Sequence, residues 1–168
     1  MVYVPIIYIN TGKNMKMKKI NVLVSNMGAS QLSFYLIKEL NKFSETNPQT
    51  DTIVFYEDIQ KNYIPPNFAI MNMSESWGQS GPTIATSIST AKKMLHYPSK
   101  EKFFYVWDLE WIRNRHPYEK YSKIYADETF KIIARSEGHK RLIENAFNRK
   151  VEHVVPDFNM SSIMEVVK

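Results

Sequence analysis

The sequence has no cysteine. That excludes a disulfide scaffold and a thiolate metal centre, and it suits a reducing compartment such as the cytoplasm. Glycine is scarce, with 5 in 168 residues. The turn at residues 26–31 (NMGASQ) holds a single glycine, so it does not meet the GxGxxG dinucleotide pattern. No apolar run approaches the roughly 20 residues that span a bilayer. The 4 histidines, His96, His116, His139 and His153, lack metal-ligand spacing, and no cofactor is expected. There is no dense Lys/Arg run, no internal repeat and no low-complexity segment. Residues 2–9 (VYVPIIYI) are apolar, but no basic region precedes them and no small-residue cleavage site follows. A signal peptide is therefore not expected. Residues 1–16 read as an N-terminal extension, or an extra strand, on a domain covering residues 17–168.

What is present is ordinary globular composition, 43% hydrophobic and 23% charged, enough for one domain with a sizeable core. The formal net charge is +5 and the pI about 9.2. A mildly basic surface accounts for this, and so does a polyanionic partner such as nucleic acid.

Strand and helix signals alternate along the chain. Residues 19–26 (KINVLVSN) form a β-rich run, and Ser30 then stands where a helix cap belongs, ahead of Leu32, Leu36 and Leu40 at helical spacing. Asn47-Pro48 ends that helix, and residues 52–56 (TIVFY) and 68–73 (FAIMNM) read as further strands. Gly81-Pro82 predicts a helix start, with Pro82 in the first turn and Ile84, Ile88, Ala91 and Leu95 as the apolar stripe. Strands follow at residues 103–107, 131–134 and 151–155, a helix capped by Ser136 lies between the last two, and residues 161–167 read as a closing helix. This order predicts a Rossmann-like, doubly wound α/β domain with a mainly parallel sheet and right-handed crossovers. Ligands in such folds bind beyond the carboxyl ends of the strands.

Three segments are expected at those ends. Asn26, Gly28 and Ser30 form a strand-to-helix turn whose N–H groups suit an anion, or which is simply a tight turn. Residues 74–82 (SESWGQSGP) form a polar loop that suits a phosphate or a sugar, with Trp77 and Gly81 as contacts, or a plain surface loop. Residues 107–117 (WDLEWIRNRHP) place Asp108 directly after an aromatic strand, with Arg113 and Arg115 close behind. A carboxylate there can act as a general base, and the arginines can hold phosphates; otherwise Asp108 caps a turn and the arginines are solvated. His139 lies in a further basic helix start, residues 136–141 (SEGHKR), and reads as a ligand contact or as a surface residue.

Two stretches carry a family resemblance. Residues 131–159 (KIIARSEGHKRLIENAFNRKVEHVVPDFN) are similar to the end of the N-terminal, acceptor-side domain of GT-B glycosyltransferases: a strand, Ser-Glu, a helix, and a strand closing on a proline turn. The usual Asn-Gly after that proline is replaced here by Asp157-Phe158. Residues 19–28 (KINVLVSNMG) with residues 67–109 resemble the phage DNA β-glucosyltransferases, in which a strand leads to an aspartate that serves as base toward the acceptor hydroxyl. The matching residue is Asp108.

The resemblance implies a glycosyltransferase acceptor domain acting on DNA or another hydroxyl acceptor. It also implies a nucleotide-sugar donor of the UDP-glucose type, held by a separate domain, because the sequence stops near where an interdomain linker would begin. Such a chain is expected to be inactive alone, and of host-cytoplasmic location if viral. The other readings are a non-enzymatic binding or structural module with the same half-fold, and a nucleotide-binding regulator.

Overall fold

The computed structural model describes residues 18–62, 64–99, 101–114 and 118–167. The expected N-terminal extension, residues 1–16, lies outside the described residues, as does Arg115. Seven strands form one sheet: β1 (Lys18–Asn26), β2 (Thr50–Asp58), β3 (Ala69–Asn72), β4 (Thr83–Ala85), β5 (Lys102–Val106), β6 (Phe130–Ala134) and β7 (His153–Val154). Their spatial order is β3-β2-β1-β4-β5-β6-β7, and every pairing is parallel. Val22 of β1 sits between Val54 of β2 and Ile84 of β4. The strand order reverses between β1 and β4, which is the topological switch of a doubly wound sheet.

The helices are α1 (Gln31–Thr46), α2 (Ile88–Met94), α3 (Glu110–Arg113), α4 (Tyr118–Ala126), α5 (Glu137–Phe147) and α6 (Met160–Val166). Successive β1 side chains point to opposite sheet faces. Ile20, Val22 and Val24 therefore pack with Leu36 and Leu40 of α1 and Ile163 of α6. Leu23 joins Phe55, Ala91, Ile124 and Ile143 under α2, α4 and α5. Both faces are covered, which explains why the strands read as continuous apolar runs rather than as alternating ones.

The helix expected from Pro82 is not formed. Thr83–Ala85 is instead the buried central strand β4, and α2 begins at Ile88. Ser87 caps α2 and forms a reciprocal capping box with Thr90. Ile84 and Ile88 were spaced as one helical stripe, yet they belong to two elements. β-branched Thr83 and Ile84 fit a strand hydrogen-bonded on both sides, and the Ser-x-x-Thr cap sets the true helix start. Residues 110–126, for which the sequence suggested no helix, carry α3 and α4; Tyr121, Ile124 and Tyr125 bury the inner stripe of α4.

After β7 the chain turns at Pro156, with Asp157 and Phe158 both left-handed, at φ 49° and 56°. A bulky residue there is strained by roughly 1–3 kcal/mol. Phe158 is held in place because its ring is fully buried and its N–H donates to the Tyr105 hydroxyl at 3.1 Å. That hydroxyl in turn donates to the Val155 carbonyl at 2.6 Å. Burial pushes the Tyr105 phenol up to about 12, so it stays a donor. Asp-Phe thus keeps the backbone that an Asn-Gly pair takes without strain.

Candidate functional site at the carboxyl pole

All strands being parallel, the residues that follow β1, β2, β4, β5 and β6 converge on one pole. Asn26 ends β1; its amide donates to Asp58 Oδ2 of β2 at 3.0 Å, and its Oδ1 accepts from the Gly28 N–H. Ser30 caps α1 by accepting from the Ser33 N–H at 3.1 Å. At the order switch the Ser25 and Ser87 hydroxyls meet at 3.0 Å, tying the end of β1 to the start of α2.

Asp108 stands two residues past the end of β5 at Val106, at the same pole as Gly28. Its side chain is 45% exposed, and Arg113 lies 3.7 Å from Oδ1. Two residues on, Glu110 turns inward. Its Oε1 accepts from the Ile88 N–H at 2.8 Å, so a carboxylate of the chain itself occupies the start of α2. Burial pushes the Glu110 carboxyl above the ordinary 4.5, outweighing that hydrogen bond, and Asp108 adds to the rise.

From the β6 side comes Arg135. Its guanidinium stacks on Trp107 at 4.2 Å and donates to Gln31 Oε1 at 3.3 Å, so it bridges the starts of α1 and α5. Ser136 caps α5 by accepting from the His139 N–H at 3.2 Å. Burial, and then Arg135, lower the His139 imidazole below 6.5, while the Val106 carbonyl and Asp108 act in the opposite direction. The surroundings thus disfavour the charged imidazole, which lies within the fields of both Asp108 and Arg135.

The structure brings together Asn26, Gly28, Ser30, Asp108, Arg113 and His139 at this pole. It does not bring Gly81 there. Gly81 precedes β4 at the opposite end of the sheet, where a Cβ would stand 2.5 Å from the Lys19 carbonyl oxygen of β1. The reason is the missing helix: with Thr83–Ala85 a strand, the residues before it belong to the amino pole. Trp77 lies apart from both, in a groove with Tyr97 and Lys93 on the α2 side of the sheet.

Sequence reasoning missed Arg135, Ser87 and the inward turn of Glu110. Arg135 had a signal, since it stands between a strand and a helix cap, as Asp108 stands after a strand. Among the described residues no cluster of acidic, histidine or cysteine side chains is arranged to hold a metal ion. No helix among them is long and apolar enough to cross a membrane.

Glu110 gives a pH prediction. With its folded value above 4.5, the folded chain holds this proton more tightly than the unfolded chain does. Its contribution to stability therefore improves as pH falls through the window just above 4.5 and worsens as pH rises through it. Glu110→Gln keeps an acceptor for the Ile88 N–H and removes the ionisation. The variant is expected to be more stable than the parent at neutral pH, with the difference vanishing in mild acid. Urea unfolding across that range measures this, and parallel curves for the two proteins would contradict it.

Comparison of the chain with protein-family models, with characterised proteins and with solved structures gives no match.

Proposed function

We propose that this domain is the acceptor side of a hexosyltransferase. Asp108 takes the proton from an acceptor hydroxyl while a nucleotide-sugar donor of the UDP-glucose type is held by a separate donor-binding domain. The observation that carries the reading is the placement of Asp108. It is a solvent-reachable carboxylate at the end of an interior strand, one strand from the order switch. It has Arg113 beside it and lies within the field of His139, whose imidazole is held below its ordinary pKa by burial. A carboxylate in reach of a hydroxyl serves as base because the proton moves only as the new glycosidic bond forms. The leaving nucleoside diphosphate takes the negative charge with it, and its binding falls to the donor side. The resemblance in residues 19–28, 67–109 and 131–159 supports the same reading.

DNA fits the acceptor class through the cations of this pole. Arg113, Arg135 and Lys140 can each meet one phosphate. Three such contacts would weaken binding roughly fortyfold over a fourfold rise in salt. Binding of duplex DNA by fluorescence anisotropy across a salt series measures that slope. A flat response would remove nucleic acid from the reading.

The transfer itself is tested with labelled UDP-glucose, a donor-binding half supplied in trans, and acceptors that include hydroxymethylated DNA. The chain alone is expected to transfer little or nothing, because positioning of the donor contributes several kcal/mol to lowering the barrier. The mixture is expected to transfer. DNA binding with no transfer to any acceptor would favour a non-enzymatic binding module on the same half-fold.

A further inference from the structure

The 74–82 loop is not part of the carboxyl-pole site, and what it builds has no role in the reaction above. Ser76 to Gln79 form a type II turn. Trp77 has φ −66° and ψ 128°, Gly78 has φ 79°, and the Gln79 N–H returns to the Ser76 carbonyl. The Gln79 side chain also donates to the Glu75 carbonyl at 3.0 Å, which fixes the turn from its other side. At the second position of the turn Trp77 is 61% exposed, the most exposed of the large hydrophobic side chains among the described residues. An indole held out on an ordered turn, rather than tucked into the core, asks for a partner.

The surroundings say which kind. Trp77 borders a groove of about 550 Å³ in which apolar surface, from Met73 and the Tyr97 ring among others, alternates with the polar groups of Glu57, Asn72, Ser74, Lys93 and His96. Tyr97 meets the indole edge-on, with centroids 5.5 Å apart and planes at 74°. The Tyr97 hydroxyl is pinned by the Ser76 hydroxyl. The two rings therefore make a corner, not a slot, and leave no parallel gap into which a flat base could slide. Lys93 is already neutralised by Glu57 at 2.7 Å, so it is not a free cation for a phosphate. The Asn72 side-chain Oδ1 accepts from the Ser74 N–H and hydroxyl, so its amide is held in place at the groove wall.

One aromatic platform beside paired carboxylate, ammonium and amide groups matches a saturated ring with an apolar C–H face and a rim of neutral hydroxyls. We propose that the Trp77 groove is a binding site for a neutral pyranose unit of a glycan, separate from the Asp108 site. Glu57 and Asn72 belong to β2 and to the end of β3. β2 and β5 are three strand spacings apart, about 14 Å, so one sugar ring cannot occupy both places. The groove would hold a glycosylated acceptor or product at a distance from the reacting hydroxyl, but the site stands whether or not Asp108 transfers sugar.

The test uses the isotope-labelled chain and free maltotriose, cellotriose and chitotriose, with no nucleotide present. At least one of them is expected to shift the Trp77 indole and Asn72 amide resonances with millimolar affinity. Trp77→Ala is expected to weaken that binding about tenfold or more, and Trp77→Phe less. An indole this exposed can be removed without unfolding the domain, and the unchanged remainder of the spectrum checks that. Absence of shifts at the groove with all three sugars would overturn the proposal. So would tighter binding of adenosine than of any sugar at the same resonances, which would make the groove a base site. Because no donor is involved, neither result bears on transfer at Asp108.

Discussion

Asp108→Asn is expected to lower hexosyl transfer by the reconstituted enzyme by roughly 10²–10⁴-fold, the usual loss when a general base is removed. The amide keeps the size and planarity of the carboxylate and loses its ability to take a proton. The fold has little to lose. The Asp108 side chain is 45% exposed, and its one ion pair, with Arg113 at 3.7 Å, is exposed as well. Exposed pairs of that kind contribute about 0–1 kcal/mol. The variant therefore separates chemistry from stability, and thermal unfolding checks the second while labelled UDP-glucose checks the first. A further readout checks the placement of Asp108 relative to His139. Asp108 favours the charged form of His139, so Asn at this position is expected to lower the imidazole pKa further, visible by NMR titration. Arg113→Ala, which frees the carboxylate, is expected to cost far less activity. Full activity of Asp108→Asn would remove this residue from the reaction.

How much of this could be read from the residues depends on how far each signal was local. Residues 19–40 announce a strand, a turn and a helix because each signal is local: the apolar run lies within β1, and the Ser30 cap and the Leu36–Leu40 spacing agree on α1. β1, α1 and the Ser30 cap follow. Asp108 could be placed because a strand of five buried residues ends just before it. The middle of the chain was harder. β4 is three residues long, too short for a period, and its Ile84 falls on the stripe of the helix that follows. Only its two neighbours, β1 and β5, make it a strand, and those pairings join residues about 60 and 20 positions away. α4 left a signal in Tyr121, Ile124 and Tyr125, but tyrosines read as surface as easily as core. The site followed the same division. Asn26, Gly28 and Asp108 were visible close after their strands, whereas Arg135, although it follows β6 directly, was not, because its bridge to Gln31 spans 104 positions, as the inward turn of Glu110 onto Ile88 spans 22.

The misplaced glycine gives the largest expected effect on the fold itself. Gly81→Ala is expected to destabilise the domain by roughly 2–5 kcal/mol, combining left-handed strain with a steric clash. Gly81 has φ 94°, a conformation L side chains rarely adopt. A Cβ there would also stand 2.5 Å from the Lys19 carbonyl oxygen and 3.2 Å from its carbon. Both atoms are backbone of β1, so no side chain can swing aside to make room. The contact is confined further by its neighbours. The Asn21 N–H donates to the Pro82 carbonyl at 3.0 Å, and the Asn21 amide donates to the Ser80 carbonyl at the same distance. Relief would require prising β4 from β1 at the order switch, where the two strands share only three paired positions. Gly78→Ala is the matched control. Gly78 is also left-handed, at φ 79°, but an added Cβ there meets nothing within 4 Å. It carries the backbone term alone, about 1–2 kcal/mol. For a chain of this size each kcal/mol moves Tm by about 2–4 °C, so the two variants are expected to separate clearly in a melting experiment. If Gly81→Ala melts no lower than Gly78→Ala, the close approach of the 80–82 turn to β1 is wrong, and with it the assignment of Gly81 to the amino pole.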